Sequence, residues 1–213
     1  MSDIVKNKSG GRSILCKGPA GVGKTLTAQV YSEVCQKPLY SVQCGQLGIL
    51  PDQIESNLKT IFERAERWKC ILLIDEADIY IRKRDNDIHH NAIVATILRM
   101  LEAYKGILFM TTNRSDDIDD AVLSRCMAII NYSKPKEEEL RLLWPVLCNN
   151  YGINIDSVPN LINDLISTFD GVTGRDIKEL LKLVVEYKNN RGVAVSIELF
   201  KKCAIFRGIN TKQ

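Results

Sequence analysis

Residues 18–25 read Gly18-Pro19-Ala20-Gly21-Val22-Gly23-Lys24-Thr25. They lie between an apolar run, Ser13-Ile14-Leu15-Cys16, and a segment whose apolar residues Leu26, Val30 and Val34 recur at helical spacing. A glycine-rich turn ending in Lys-Thr, entered from a strand and left through a helix, restricts the chain to folds that cradle a phosphate at a strand's end. Glycines let successive backbone N–H groups turn inward as an anion nest. The helix that follows directs its free N–H groups and positive dipole end at the same place. Lys24 supplies a point charge for β- and γ-phosphates, and the Thr25 hydroxyl is placed to coordinate magnesium. The stretch from Gly18 to Leu26 is therefore the expected nucleotide-binding segment.

The chain has 213 residues, enough for one large domain or a medium domain with a small one. A formal charge of +3 makes no demand for a nucleic-acid or acidic-membrane partner. The seven cysteines are an odd number, widely spaced and without a C-x-x-C pair, as expected of buried thiols in a reducing compartment. With no signal peptide and no long apolar run, a soluble cytoplasmic protein without a membrane segment is the expectation.

Residues 1–11 read as a flexible lead-in. Beyond them, Arg12–Cys16, Leu39–Val42, Cys70–Ile74, Ile107–Met110 and Met127–Ile130 read as strands. The solid apolar runs among them are the pattern of strands buried on both faces of a parallel sheet. Helices are expected over Lys24–Cys35, from an N-cap at Asp52 to Trp68, over Asn91–Tyr104 and briefly at Asp119–Leu123. Ile79–His90 reads as charged and irregular. This alternation predicts an α/β, doubly wound, largely parallel sheet over residues 12–134. After Pro135 the texture turns all-helical, with helices expected at Glu137–Cys148, Pro159–Phe169, Gly174–Lys188 and Ser196–Phe206, so residues 135–209 form a second, helical domain.

Two further clusters carry chemistry. In Ile71-Leu72-Leu73-Ile74-Asp75-Glu76 an acidic pair ends a buried strand, an expensive placement unless it meets a cation. Asp75 is expected to hold Mg²⁺ together with Thr25, and Glu76 to act as general base on the attacking water. Asp78 is expected at the surface or behind the ligands rather than among them. In Phe109-Met110-Thr111-Thr112-Asn113, Asn113 falls at the carboxyl end of the next strand, where its amide can hold water or a γ-phosphate without adding charge. His89-His90 lack a third ligand at metal spacing, and Trp68 and Trp144 are expected in core or interface.

Gly18–Thr25, Leu73–Glu76, Thr111–Asn113, Asp120–Arg125 and Gly171–Ile177 occur in the order and approximate spacing of the AAA+ ATPases, and the chain resembles their AAA branch over roughly residues 10–207. The resemblance implies a five-stranded parallel sheet of order 5-1-4-3-2 with a helical lid, ATP and Mg²⁺ as cofactors, and assembly into a homo-oligomeric ring, usually a hexamer. It implies a sensor role for Asn113 and an arginine finger at Arg125 acting on a neighbouring subunit. It also implies a lid contact to nucleotide from Arg175.

Two departures stand out. Seventeen residues precede the phosphate loop, fewer than family members carry, so an excised domain or a minimal protein is expected, with the substrate unspecified. Members that thread polypeptide carry an aromatic–apolar–glycine loop after the second strand. Gln46-Leu47-Gly48-Ile49-Leu50-Pro51-Asp52 has no aromatic residue, which leaves Ile49 or Leu50 as a weaker grip. The leading expectation is a Mg-ATP hydrolase that remodels a macromolecule. The alternatives are a nucleotide-gated switch with little turnover and a nucleic-acid loader, the latter disfavoured by the near-neutral charge.

Overall fold

Apolar runs long enough for only one strand each have to find neighbours on both sides, and they do so in a single parallel sheet. The computed structural model describes residues 12–155 and 158–211; the lead-in at 1–11 lies outside them. Among these residues the strands are β1 (Arg12–Lys17), β2 (Leu39–Gln43), β3 (Ile71–Asp75), β4 (Ile107–Thr112) and β5 (Ala128–Asn131). Their order is β2-β3-β4-β1-β5, all pairs parallel, which is the 5-1-4-3-2 arrangement read from the other edge. Leu15 pairs with Met110 and Leu73 with Phe109, so the three central strands are in register where they are most apolar. The edge strands β2 and β5 are buried only in part, as edges exposed to water allow.

The chain divides into two compact units, residues 12–19 with 23–132, and residues 20–22 with 133–211. In the first, α2 (Pro51–Trp68) and α4 (Ile88–Ala103) cover one face of the sheet. Ile54, Leu58, Phe62, Ile97 and Leu101 pack there against Leu15, Leu72, Leu108 and Met110. The other face carries α1 (Lys24–Val34) over a smaller cluster of Ile14, Cys16, Ile71, Leu73 and Phe109. α3 (Asp78–Ile81) and α5 (Asp120–Arg125) are short.

The structure completes or corrects several local expectations. The α1 stripe faces outward: Leu26, Val30 and Val34 are 53%, 48% and 77% exposed, while Ala28 is fully buried. A small residue on the inner face lets the helix approach the sheet closely, and close approach is what seats the phosphate loop. Asp52 does not cap α2; Leu50 is the N-cap and Pro51 takes the first helical position, where its missing N–H is harmless. Ile79–His90 is not wholly irregular, because α3 occupies its start and α4 begins at Ile88, capped by the Asp87 carboxylate. Trp68 is half exposed, edge-on to Tyr40, and so lies outside the core, the first of the two places expected for it.

The second unit contains α6 (Glu137–Asn150), α7 (Leu161–Thr168), α8 (Gly174–Arg191) and α9 (Ile197–Arg207). Trp144 is fully buried at its centre, with the rings of Phe169 and Phe200 at 6.2 and 6.1 Å. Thr173 and Asp176 form a reciprocal capping box at the start of α8, and Ser196 caps α9.

Candidate nucleotide-binding site

β1 runs out at Lys17, and the turn after it is shaped by its glycines. Gly18 has φ +147, and a Cβ there would strike the Tyr132 carbonyl oxygen. Gly23, the N-cap of α1, has φ +103 in open space, so conformation alone requires glycine. α1 therefore starts abruptly, leaving its first N–H groups without intrahelical acceptors and its positive end at the turn. Pro19 and Ala20 are exposed, Gly21 and Val22 half-buried, and Leu26 points to solvent. Lys24 is buried; its ammonium donates to Gly18 O at 2.7 Å, to Pro19 O, and to Asn113 Oδ1 at 2.9 Å. One cation thus joins the loop after β1 to the end of β4.

The ends of β3 and β4 are tied side by side. Asp75 Oδ1 accepts from the Thr25 hydroxyl at 2.9 Å and from the Thr111 hydroxyl. Thr111 in turn accepts from the Glu76 N–H at its hydroxyl (3.0 Å) and from the Ala77 N–H at its carbonyl (2.8 Å). Between these two bonds Glu76 is held at φ +58, a conformation L-residues avoid, with its side chain exposed. Asp78 accepts from the Thr112 hydroxyl and from the Asn113 N–H at 3.1 Å. The region is negative: burial first, then the charges of Asp78, Glu76 and Asp75, push the Cys44 thiol up to about 12.

The structure thus brings Lys24, Thr25, Asp75 and Asn113 into one hydrogen-bonded neighbourhood, with Glu76 beside it. Thr25 and Asp75 offer a hydroxyl and a carboxylate oxygen to a hard divalent cation whose other positions water or phosphate oxygens would fill. Among the described residues no group of three or more His, Cys, Asp or Glu is placed to hold a metal by itself. Arg125 ends α5, where its Nε and Nη2 meet Glu102 Oε1 at 2.8 and 2.6 Å and its Nη1 donates to Ala121 O at 3.0 Å. Arg175 is exposed in the first turn of α8, inside the helical unit. Sequence reasoning did not assign roles to Thr111, Thr112 or Glu102; Asp78, expected at the surface or behind the ligands, is half-buried against Thr112 and Asn113. Consecutive threonines ending an otherwise apolar run were the available signal, since buried hydroxyls need partners.

Residues 14–134, more than half of the chain, match the family described as ATPase family associated with various cellular activities (AAA). The chain belongs to the AAA family of ATPases. An uncharacterised AAA-family ATPase, y4kL, of Sinorhizobium fredii is 27% identical over 149 residues, 67% of this chain and 45% of that protein. An outer mitochondrial transmembrane helix translocase of Danio rerio is 26% identical over 83% of this chain and 48% of its own. The chain therefore spans under half the length of each of these curated relatives. The AAA domain of FIGL-1 in complex with ADP superposes with a TM-score of 0.74 at 18% identity, covering 95% of this chain and 73% of that one, which shows a shared fold. Within this AAA chain no helix among the described residues is long and apolar enough to cross a membrane.

Proposed function

We propose that this AAA-family chain binds Mg-ATP in the Gly18–Leu26 segment, hydrolyses it, and couples turnover to remodelling of a macromolecule as part of a homo-oligomer. The observation that carries the reading is the meeting of Lys24, Thr25, Asp75 and Asn113 at the carboxyl ends of β1, β3 and β4. Open α/β sheets bind ligands at that edge. In this reading Lys24 exchanges its loop carbonyls for β- and γ-phosphate oxygens. Thr25 and Asp75 hold Mg²⁺, which when bound neutralises charge on the phosphates. Glu76 takes the proton of the attacking water, and Asn113 orients that water or the γ-phosphate. Arg125 of an adjacent subunit meets the charge that develops in the transition state. Residues 135–209 serve as the lid, with Arg175 as its contact to nucleotide. The free thiols suit a reducing, cytoplasmic setting.

The relatives support the remodelling class, since one of them is named as a translocase of transmembrane helices. A second reading, a switch with little turnover, draws on Arg125 being engaged by Glu102 of its own chain. Steady-state hydrolysis measured against protein concentration, with Arg125→Ala in parallel, separates the two. Under the leading reading, specific activity rises with concentration and the variant loses it. Flat, negligible turnover at every concentration with intact ATP binding selects the switch.

A further inference from the structure

α3 is a single turn, and two of its residues point to different tasks. Asp78 faces the nucleotide side, accepting from the Thr112 hydroxyl and the Asn113 N–H. Tyr80 is 2% exposed, and its hydroxyl lies 2.9 Å from Cys44 O and 2.6 Å from Gly48 O, sharing one proton between the two carbonyls. Those carbonyls belong to the segment after β2, where a 3-10 turn (Cys44–Gln46) leads through Gly48, at φ +92, to Ile49 and Leu50. Leu47 anchors the segment in the core, while Ile49 is 71% exposed. A second side-chain hold on the segment comes from α2, where Asn57 Nδ2 donates to Leu47 O at 3.2 Å and Gln46 O at 3.5 Å.

A phenylalanine would fill the same core volume as Tyr80, so what the hydroxyl adds is the tether. Burial, then the neighbouring Cys44, push the phenol up to about 12, and it remains a donor at any physiological pH. α3 follows directly on Asp75-Glu76-Ala77, which the two Thr111 bonds fasten to β4. On a turn this short, bonded at both ends, Asp78 and Tyr80 have little room to shift independently. A cleft of about 230 Å³ opens beside it, with Ile49 from the loop, Ile79 from α3, Arg82 and Arg114 among its lining residues. Any shift of α3 relative to the loop reshapes that cleft.

We propose that Tyr80 is a positioning residue that transmits the state of the Asp75–Asp78 turn to the exposed loop 44–50 through its hydroxyl. The inference rests on the nucleotide-binding reading given above and adds the path by which the nucleotide is felt at a surface. Asp78 is the input arm and Tyr80 the output arm of the same helical turn. Asn57 holds the loop from α2, outside that path, and is the natural control.

Hydrogen exchange read by mass spectrometry on the full chain, without nucleotide, with ADP and with the non-hydrolysable analogue AMP-PNP, tests this. In the wild type, amides of 44–50 are expected to exchange at different rates with ADP and AMP-PNP. Tyr80→Phe is expected to abolish that difference while protection of 18–25 and nucleotide affinity stay unchanged. Asn57→Ala is expected to speed exchange of the loop in every state and keep the difference, which is how a purely structural tether behaves. Should Tyr80→Phe fold poorly, Asp78→Ala removes the oxygen that accepts both bonds of the other arm and is expected to shrink the same difference. A difference that survives in Tyr80→Phe, or is missing from the wild type while 18–25 is protected, overturns the coupling alone. No protection of 18–25 by either nucleotide overturns the nucleotide reading as well.

Discussion

Leu72 and Leu73, in the middle of β3, are fully buried on opposite faces of the sheet, in extended backbone and surrounded by aliphatic side chains. A few residues on, the same strand ends in a half-buried carboxylate tied to two hydroxyls and then in Glu76, held at φ +58. β4 repeats the contrast, passing from Phe109 and Met110 to Thr111, Thr112 and Asn113. The middles are what a parallel sheet needs for stability. The ends gather negative charge, desolvated hydroxyls and backbone strain, none of which stability selects. Such features persist where the surrounding structure over-determines them, and here it does so through Thr111 and Asp78. One strand thus serves as scaffold for most of its length and as chemistry at its carboxyl tip.

Substitutions at the two places should therefore fail in different observables. Glu76→Gln at the tip is expected to lower turnover by about a thousandfold, ~4 kcal/mol of barrier, as removal of a general base does. Its thermal midpoint should stay that of the wild type, because the side chain is exposed. Phosphate release and thermal unfolding on one preparation check both halves, and undiminished turnover would remove Glu76 from the role of base. Leu72→Ala in the middle is expected to cost about 3 kcal/mol of unfolding free energy in urea, from lost burial and the cavity left behind. Nucleotide affinity of the folded protein should be unaffected. A Leu72→Ala protein that unfolds like the wild type but binds nucleotide poorly would reverse the comparison.

The same division explains what could be read from the sequence. The sheet was legible because Ile71–Ile74 and Ile107–Met110 are solid apolar runs and the glycines of 18–23 punctuate the chain at one place. The meeting of Lys24, Thr25, Asp75 and Asn113 follows from motif order once strands are known to be parallel. The direction of α1 was not legible. Leu26, Val30 and Val34 define a helical face, but period alone does not say whether that face turns inward, and Ala28 decided it by permitting close approach. The cap of α2 was readable from Pro51, and the acid at 52 drew attention away from it. Asp78 and Tyr80 find their partners 34 and 32 or more residues away, in neighbouring strand ends and loops, so no local pattern announces them. The ion pair of Arg125 with Glu102 is hidden for the same reason.

The smallest effect bears most directly on strain at the strand tip. An L-residue in the left-handed region carries a penalty of roughly 1–2 kcal/mol that glycine escapes. Glycine loses more backbone entropy on folding, which takes back about 0.5–1 kcal/mol of that advantage. Glu76→Ala and Glu76→Gly both lack the carboxylate, so both lose turnover and differ only in backbone preference. If Glu76 is held at φ +58 against its preference, Glu76→Gly should be more stable than Glu76→Ala by up to ~1 kcal/mol in urea unfolding. Lys69, the C-cap of α2 at φ +51, supplies the comparison, since Lys69→Gly against Lys69→Ala measures the same relief at an ordinary helix end far from any chemistry. Equal gains at 69 and 76 would mean that the tip is no more strained than a helix terminus. A gain at 69 with none at 76 would mean that the bonds to Thr111 have made the left-handed turn the relaxed state of this strand end, and the contrast between middle and tip would then be one of polarity alone.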